Sequence, residues 1–343
     1  MLRLMLASSL VAVLGLLWWG ERDRPTVTPP LHTAGNRIRL PDGTPWMGRG
    51  VNVFDSRSCG ACEDSPESVR EVKRRIDEAV DGWRASLIRL CLQSESPEES
   101  ALADDAYLAR VEELVAYVGT KPGVYALVSL WRDPSLGAEG WPSEDTERVW
   151  TRLAEALYDE DHTLYGIVNE PRHNLDGRKD AEVWRRMNDT VVAIRNVEAA
   201  LGGRHHVVVV QGTRDYGRWL DYYVEHPIAA GGGRNVAYET HPYSAAADLE
   251  RLVASPSRRL PVIIGEFGPN DFGSGDFQMT YEDARAVLEL AERERIPYTA
   301  FSFHMRCPPN LLVDYSKGEC GMDMRLEPTQ TWGRMVMDEL RRH

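Results

Sequence analysis

Eight short apolar runs, each separated from the next by a longer polar-and-apolar segment, constrain what this chain can fold into. The runs are "MGRGVNVF" (47–54), "SLIRLCL" (86–92), "VYALVSLW" (124–131), "LYGIVNE" (164–170), "HVVVVQG" (206–212), "VAYETHPY" (236–243), "PVIIGEF" (261–267) and "YTAFSF" (298–303). Between them, sets such as Val149, Leu153, Ala156 and Leu157, or Ala284, Val287, Leu288 and Ala291, recur at the spacing of one helix face. Strands that are apolar throughout are buried on both faces, and parallel neighbours need a crossover long enough for a helix. Strand, helix, strand in one uninterrupted series therefore predicts a parallel sheet covered by helices, and eight such units predict a closed (β/α)8 TIM barrel of the α/β class. A chain of 343 residues holds that barrel as a single domain.

The flanks of the series read differently. "NRIRLPDGTPWM" predicts a small hairpin turning at Asp42-Gly43 and closing the bottom of the barrel. The N-terminus has Arg3, an apolar stretch over residues 4–19 and charges from Glu21, the form of an export signal. Residues 1–22 are thus expected to be a signal peptide or a membrane anchor, and 23–33 a Pro/Thr-rich linker to a catalytic domain over 34–343. Export, with or without a membrane tether through residues 4–19, is the expected localisation.

Cysteine usage agrees with an oxidising compartment. Cys59, Cys62, Cys307 and Cys320 lie in loop-like sequence and are expected to form disulfides, in any of three connectivities, while Cys91 sits in an apolar run as a buried thiol. A four-thiolate zinc site would use the same four residues, but only one C-x-x-C is present and export favours disulfides. The net charge of −13, from 53 acidic and 40 basic residues, argues against binding a phosphate backbone, so nucleic acid is not an expected partner.

In a barrel of this kind the active site forms at the C-terminal ends of the strands. Those ends carry Arg89, Asn169 and Glu170, His241 and Tyr243, Glu266, and Phe303 with His304. Glu170 and Glu266, on different strands at matching depth, form the kind of carboxylate pair that glycoside hydrolysis needs: one protonates the leaving oxygen, the other attacks or activates water. His241 and Tyr243 are two apart and share a strand face, whereas adjacent Asn169 and Glu170 face one way only if their strand ends or bulges there. Pro171 is expected to hold Glu170 extended.

With these residues in place, the chain resembles glycoside hydrolase family 5, the cellulase-like group of retaining glycosidases. "RLPDGTPWMGRGVNVF", "IRL", "VNEP", "HPY" and "IIGEFG" carry the resemblance, in that order. It implies Glu170 as acid/base, Glu266 as nucleophile, Asn169 as donor to the sugar 2-hydroxyl, Arg89 and Tyr243 as supports of the nucleophile, and His241 as a neighbouring subsite residue. Two departures stand out. Where the family commonly has a His near the end of strand three, this chain has Trp131 and Arg132, and where it commonly has a Trp after strand eight, Phe301 and Phe303 are found. Phe303 and Trp131 are the candidate sugar platforms, with Trp141 either a further platform or packed beneath a loop.

The resemblance implies a monomeric endo-β-glycanase, free of cofactor and metal, acting on a β-1,4-linked polysaccharide, glucan first and mannan second. Retention predicts the two carboxyl groups about 5–5.5 Å apart. A non-catalytic carbohydrate-binding barrel, or a transglycosylase with the same carboxylates, are the alternatives.

Overall fold

The structure, a computed structural model, describes residues 28–57, 66–270, 278–317 and 321–343. Eight parallel strands close on themselves: β3 (Arg49–Phe54), β4 (Leu87–Gln93), β5 (Tyr125–Arg132), β6 (Thr163–Gly166), β7 (Val207–Gln211), β8 (Val236–Thr240), β9 (Val262–Ile264) and β10 (Tyr298–Ala300), with β10 pairing to both β9 and β3. They coincide with the eight apolar runs. Around them lie α1 (Pro66–Asp77), α2 (Asp105–Gly119), α3 (Glu144–Ala156), α4 (Asp180–Leu201), α5 (Asp221–Glu225), α6 (Ser255–Ser257), α7 (Tyr281–Glu294) and α8 (Trp332–Leu340). The (β/α)8 barrel expected from periodicity is the fold.

Local chemistry explains several boundaries. Helices α3 and α7 begin with capping boxes, Ser143 with Thr146 and Thr280 with Asp283, each satisfying otherwise orphaned N–H groups. Asp104 caps α2 by accepting from Tyr107 N. Gly50 permits β3 to lie against β4, because a Cβ there would fall 1.6 Å from the Leu87 carbonyl oxygen.

Inside the barrel the side chains change character with height. The lower layers are apolar: Leu87, Tyr125, Leu127, Leu164, Val207, Val209, Ala237 and Ile263 pack together with Leu31, Ile38 and Trp46 from the N-terminal segment. Each Leu, Ile or Val among them, fully buried, contributes about 1.5–3 kcal/mol relative to exposure. Two residues further along the same strands the interior is polar: Val209 gives way to Gln211, Ala237 to Glu239, and Leu87 to Arg89.

The hairpin closes the bottom, with one adjustment. Strands β1 (His32–Ala34) and β2 (Arg37–Arg39) pair antiparallel around Gly35-Asn36, and the expected turn at Asp42-Gly43 follows as a second one, bridging Arg39 to Pro45. The domain also starts before residue 34. Thr28 accepts from Gly123 N, the Pro29 carbonyl accepts from Tyr125 OH, and Leu31 is buried, so apolar anchoring begins inside the segment expected to be linker. The signal or anchor segment and Cys59, Cys62 and Cys320 lie outside the described residues, as does any disulfide they form. Among the described residues no helix is long and apolar enough to cross a membrane. Cys91 is a buried thiol, and burial pushes its pKa up.

Candidate active site

Strand β6 ends at Gly166, and Ile167 continues the backbone pairing to β7 for one more bond, to the Val209 carbonyl. The chain is then free to turn both Asn169 and Glu170 toward the mouth. Glu170 has φ of 51°, a left-handed conformation rare for a residue with a side chain, so the expectation that Pro171 keeps it extended is not met. Its backbone N–H donates to Gln211 Oε1 at 2.6 Å, a contact that holds the strained residue in place. The Glu170 carboxylate is about a quarter exposed, with 27% side-chain accessibility, whereas that of Glu266 is 5% accessible.

Arg89, buried on β4, organises the rest. Its Nη1 donates to Asn52 Oδ1 at 2.8 Å and to Glu266 Oε1 at 2.7 Å; its Nη2 donates to Asn169 Oδ1 at 2.8 Å and pairs with Glu239 Oε1 at 2.9 Å. A buried guanidinium is costly unless its charge is matched, and here two carboxylates and two amides meet its Nη1 and Nη2 while Nε is left without a partner among the described residues. Because Arg89 fixes the oxygen of the Asn169 amide, the NH2 of that amide remains the group able to donate elsewhere.

His241, just beyond β8, links the two acids. Its Nδ1 lies 3.0 Å from Glu170 Oε1 and 3.8 Å from Glu266 Oε2, while Nε2 lies 2.7 Å from Glu239 Oε1. The Tyr243 hydroxyl donates to Glu266 Oε2 at 3.4 Å. One oxygen of Glu170, one ring nitrogen of His241 and one oxygen of Glu266 all lie within 4.8 Å of one another. The nearest oxygens of the two acids are thus no more than 4.8 Å apart, so both face one small volume at the mouth.

Protonation follows from burial and neighbours. Burial pushes the Glu266 carboxyl up; His241 and Arg89 pull it down, and the Glu170 and Glu239 charges push it up again. Burial alone would lower His241, but the Glu266 charge and the bonds to Glu170 and Glu239 outweigh it and raise the imidazole to about 9. Burial would also raise Glu239, yet Arg89, His241 and Gln211 hold it below the usual carboxylate range. Tyr243 is pushed well up by burial and the nearby Glu266 and Glu170 charges, so its hydroxyl stays a donor.

The structure thus brings Glu170, Glu266, Arg89, Asn169, His241 and Tyr243 to one mouth. The aromatic candidates divide. Phe303 does not reach the mouth: it is fully buried in the layer between barrel and helices, edge-on to Trp83 at 4.9 Å. Strand β10 ends at Ala300, after which strand alternation no longer tells which way a side chain points. Phe301 occupies the inner position instead, in a cluster with Phe54 and Cys91 against which Trp131, Tyr243 and Cys307 pack. Trp131 lies at an irregularity of the β4–β5 pairing, where Leu92 pairs with Leu130 but Gln93 with Arg132, and its ring meets Phe54 edge-on at 5.0 Å. His304 packs against the far side of Phe54 at 5.7 Å. Trp141 is buried beneath a loop, with the Lys179 ammonium 5.1 Å from its ring centre.

Three polar residues of the site were not among the strand-end candidates: Asn52, Gln211 and Glu239. Asn52 and Glu239 lie inside their strands and Gln211 is the last residue of β7, and the available signal was the two-residue period, Glu239-His241-Tyr243 along one face and Val207-Val209-Gln211 along another. Besides Glu170, His241 and Glu266, the set of half-buried Glu292 and Glu339 with exposed His343 is the other group of three close metal-type donors among the described residues. In the first set both ring nitrogens of His241 already face carboxylates, the arrangement of a proton-sharing chain.

Comparison with known proteins agrees with this geometry. Residues 47–306 match the family model "Cellulase (glycosyl hydrolase family 5)". A mannan endo-1,4-beta-mannosidase of Cellvibrio japonicus is 23% identical over 287 residues, covering 79% of this chain and 58% of that protein. Cellulase/esterase CelE of Acetivibrio thermocellus is 28% identical over 154 residues, 41% of this chain and 18% of its own length. The chain thus spans less than two thirds of either curated relative. The catalytic domain of Thermobifida fusca endoglucanase Cel5A, solved with cellotetraose, superposes with a TM-score of 0.70 at 18% identity, covering 92% of this chain and 98% of that one. At that identity the superposition speaks to the fold alone.

Proposed function

From the premise that the chain belongs to glycosyl hydrolase family 5, we propose that it is a retaining endo-β-glycanase cleaving a β-1,4-linked polysaccharide, glucan in preference to mannan. The observation that carries this reading is the close approach of Glu170 and Glu266 across His241 at the C-terminal mouth of the barrel.

In this reading a Glu266 oxygen attacks the anomeric carbon while Glu170 gives its proton to the departing glycosidic oxygen; the C–O bond to the leaving sugar breaks as the bond to Glu266 forms. Glu170, now a carboxylate, takes a proton from water, the resulting hydroxide attacks the same carbon, and Glu266 is released. Arg89 and Tyr243 bond opposite oxygens of Glu266 and orient it. The Asn169 amide, its oxygen held by Arg89, presents NH2 to the sugar 2-hydroxyl. Phe301 and Trp131 supply apolar surface for the sugar face. The same reading has the protein exported and acting as a monomer, checked by cell fractionation and by its mass in solution.

The test is a panel of β-glucan, mannan, xylan and chitosan with sizing of the products and NMR of the first-formed anomer. Internal cleavage of glucan, retention of the β-anomer and loss of both on Glu266→Ala are expected. A wild-type protein that binds these polymers without releasing reducing ends would overturn the proposal, and products longer than the substrate would replace hydrolysis by glycosyl transfer.

A further inference from the structure

Three donors converge on a single oxygen in the middle of the barrel. Glu239 Oε1 pairs with Arg89 Nη2 at 2.9 Å and lies 2.7 Å from His241 Nε2 and 3.1 Å from Gln211 Nε2. Glu239 is fully buried, and its Oε2 meets no hydrogen-bond partner. The place is shaped for this side chain: a Cβ on Gly265 would fall 1.9 Å from Glu239 Oε1, so the glycine before Glu266 leaves the room that Glu239 fills.

The directions of these bonds are determined. Gln211 Oε1 accepts the Glu170 N–H, so the NH2 end of the same amide faces Glu239 and, at 3.1 Å, His241 Nε2. An amide NH2 and an imidazole N–H both satisfy a carboxylate oxygen. A bare Nε2 would set its lone pair against that oxygen at hydrogen-bond distance. A neutral Glu239 would put its proton on Oε2, where nothing accepts it, while Arg89 favours the ionised form. With Glu239 charged and the proton of His241 on Nε2, all three contacts to Oε1 run from donor to acceptor, and the Gln211 and His241 nitrogens, 3.1 Å apart, are two donors sharing that oxygen.

We propose that Glu239 is a positioning residue that locks His241 with its proton on Nε2, leaving Nδ1 and Glu170 to share one transferable proton. This rests on the glycosidase reading of Glu170 and extends it to where the acid's proton is kept. In the imidazolium state the proton sits on Nδ1 and bonds Glu170 Oε1. As the leaving oxygen develops charge, the Nδ1–H bond breaks, Glu170 relays the proton and His241 is left neutral, still protonated on Nε2. In the second half the water proton returns through Glu170 to Nδ1. The groups facing the ring are Glu239 and Tyr243 of its own strand, Gln211 from β7, Glu170 from the end of β6 and Glu266 beyond β9, with Arg89 of β4 touching both Glu239 and Glu266. Three carboxylates against one guanidinium favour the imidazolium, in line with the upward shift of His241 to about 9.

The experiment is 15N NMR of histidine-labelled protein, with His241 assigned by its loss in His241→Asn, beside the pH profile of kcat/KM on soluble β-glucan. In the wild type, His241 is expected to titrate above the ordinary histidine range and, once neutral, to carry its proton on Nε2. In Glu239→Gln the neutral ring becomes a mixture of tautomers, and both its midpoint and the alkaline limb of kcat/KM move down by about one pH unit or more. Glu239→Asp, which keeps the charge, restores the limb. A neutral wild-type ring protonated on Nδ1, or a folded Glu239→Gln with unchanged midpoint and limb, overturns the proposal. If Glu239→Gln does not fold, the wild-type tautomer decides alone. Absence of any glycan hydrolysis would sink the function reading and leave the spectroscopic result standing, so the two failures are distinguishable.

Discussion

The two arcs of the barrel mouth are built on opposite principles. One, from the ends of β4, β6, β7, β8 and β9, is a buried network in which Arg89, Glu239, His241, Glu266, Asn169 and Gln211 fix one another through charge-assisted bonds of 2.7–3.1 Å. The other, over β3, β5 and β10, is made of rings, Phe54 against Trp131 at 5.0 Å and against Phe301 at 5.8 Å, edge-on. In the first arc every member depends on its partners' charge, because a buried ion left alone costs several kcal/mol. In the second, contact is dispersive and one ring can replace another with local repacking. The polar arc is therefore expected to tolerate almost no change, and the aromatic arc to absorb substitutions by local repacking.

The largest test of the contrast is removal of the acids. Glu266→Gln is expected to lower kcat by at least about 10⁴-fold with the fold retained, because Glu266 is the proposed nucleophile and an amide cannot form the glycosyl bond in its place. Glu170→Gln is expected to cost about 10²–10⁴-fold on polysaccharide and much less on an aryl glycoside whose leaving group needs no proton. Steady-state kinetics on both substrates checks this; equal losses on the two would deny Glu170 its role as acid.

How much of this was legible follows the same division. The barrel was readable because each strand is apolar throughout and each helix keeps its period, and the polar arc's outer members were readable because they close their strands. Glu239 and Asn52 were hidden inside apolar runs, and Gln211 closes a run of four valines, each visible by counting every second residue. Phe303 was misplaced because alternation stops being informative once the chain leaves β10, and the left-handed turn at Glu170 has no marker in "VNEP".

Next in size is the anchor of the polar arc. Arg89→Met keeps the volume but leaves Glu239 and Glu266 buried without their cation, and is expected to destabilise the fold by about 3–5 kcal/mol in urea unfolding. Phe303→Ala belongs to the same class, about 3–5 kcal/mol from the cavity left against Trp83, with KM unchanged in the folded protein. A rise in KM without loss of stability would return Phe303 to the mouth.

The polar arc also predicts how stability responds to pH. His241 has a folded pKa of about 9, above the ordinary value of 6.5, so the folded state binds its proton more tightly. That contribution is complete below pH 6.5 and is lost as pH rises toward 9, with a slope of at most about 1.4 kcal/mol per pH unit. Urea midpoints measured across this window are expected to fall for the wild type and to flatten in His241→Asn. A wild-type midpoint that stays level would mean the imidazole is neutral in the folded protein.

The smallest effect is expected in the aromatic arc, at Phe301. Phe301 borders the cluster of Phe54 and Trp131, and its backbone is fixed from both sides, its N–H bonding the Phe267 carbonyl and its own carbonyl accepting from Trp332 Nε1. Removing the ring therefore takes away apolar surface at the mouth while leaving the wall in place. For Phe301→Ala, loss of one stacking contact of about 1–1.5 kcal/mol predicts KM raised about tenfold, with kcat changed far less than by any member of the polar arc. Phe301→Trp should recover KM for glucan oligosaccharides, because the neighbouring contacts are edge-on rings that can shift, provided Trp131 yields space. If instead Phe301→Ala lowers kcat as severely as Glu170→Gln, the aromatic arc is positioning the reacting sugar and not merely flooring it, and the division between the two arcs collapses.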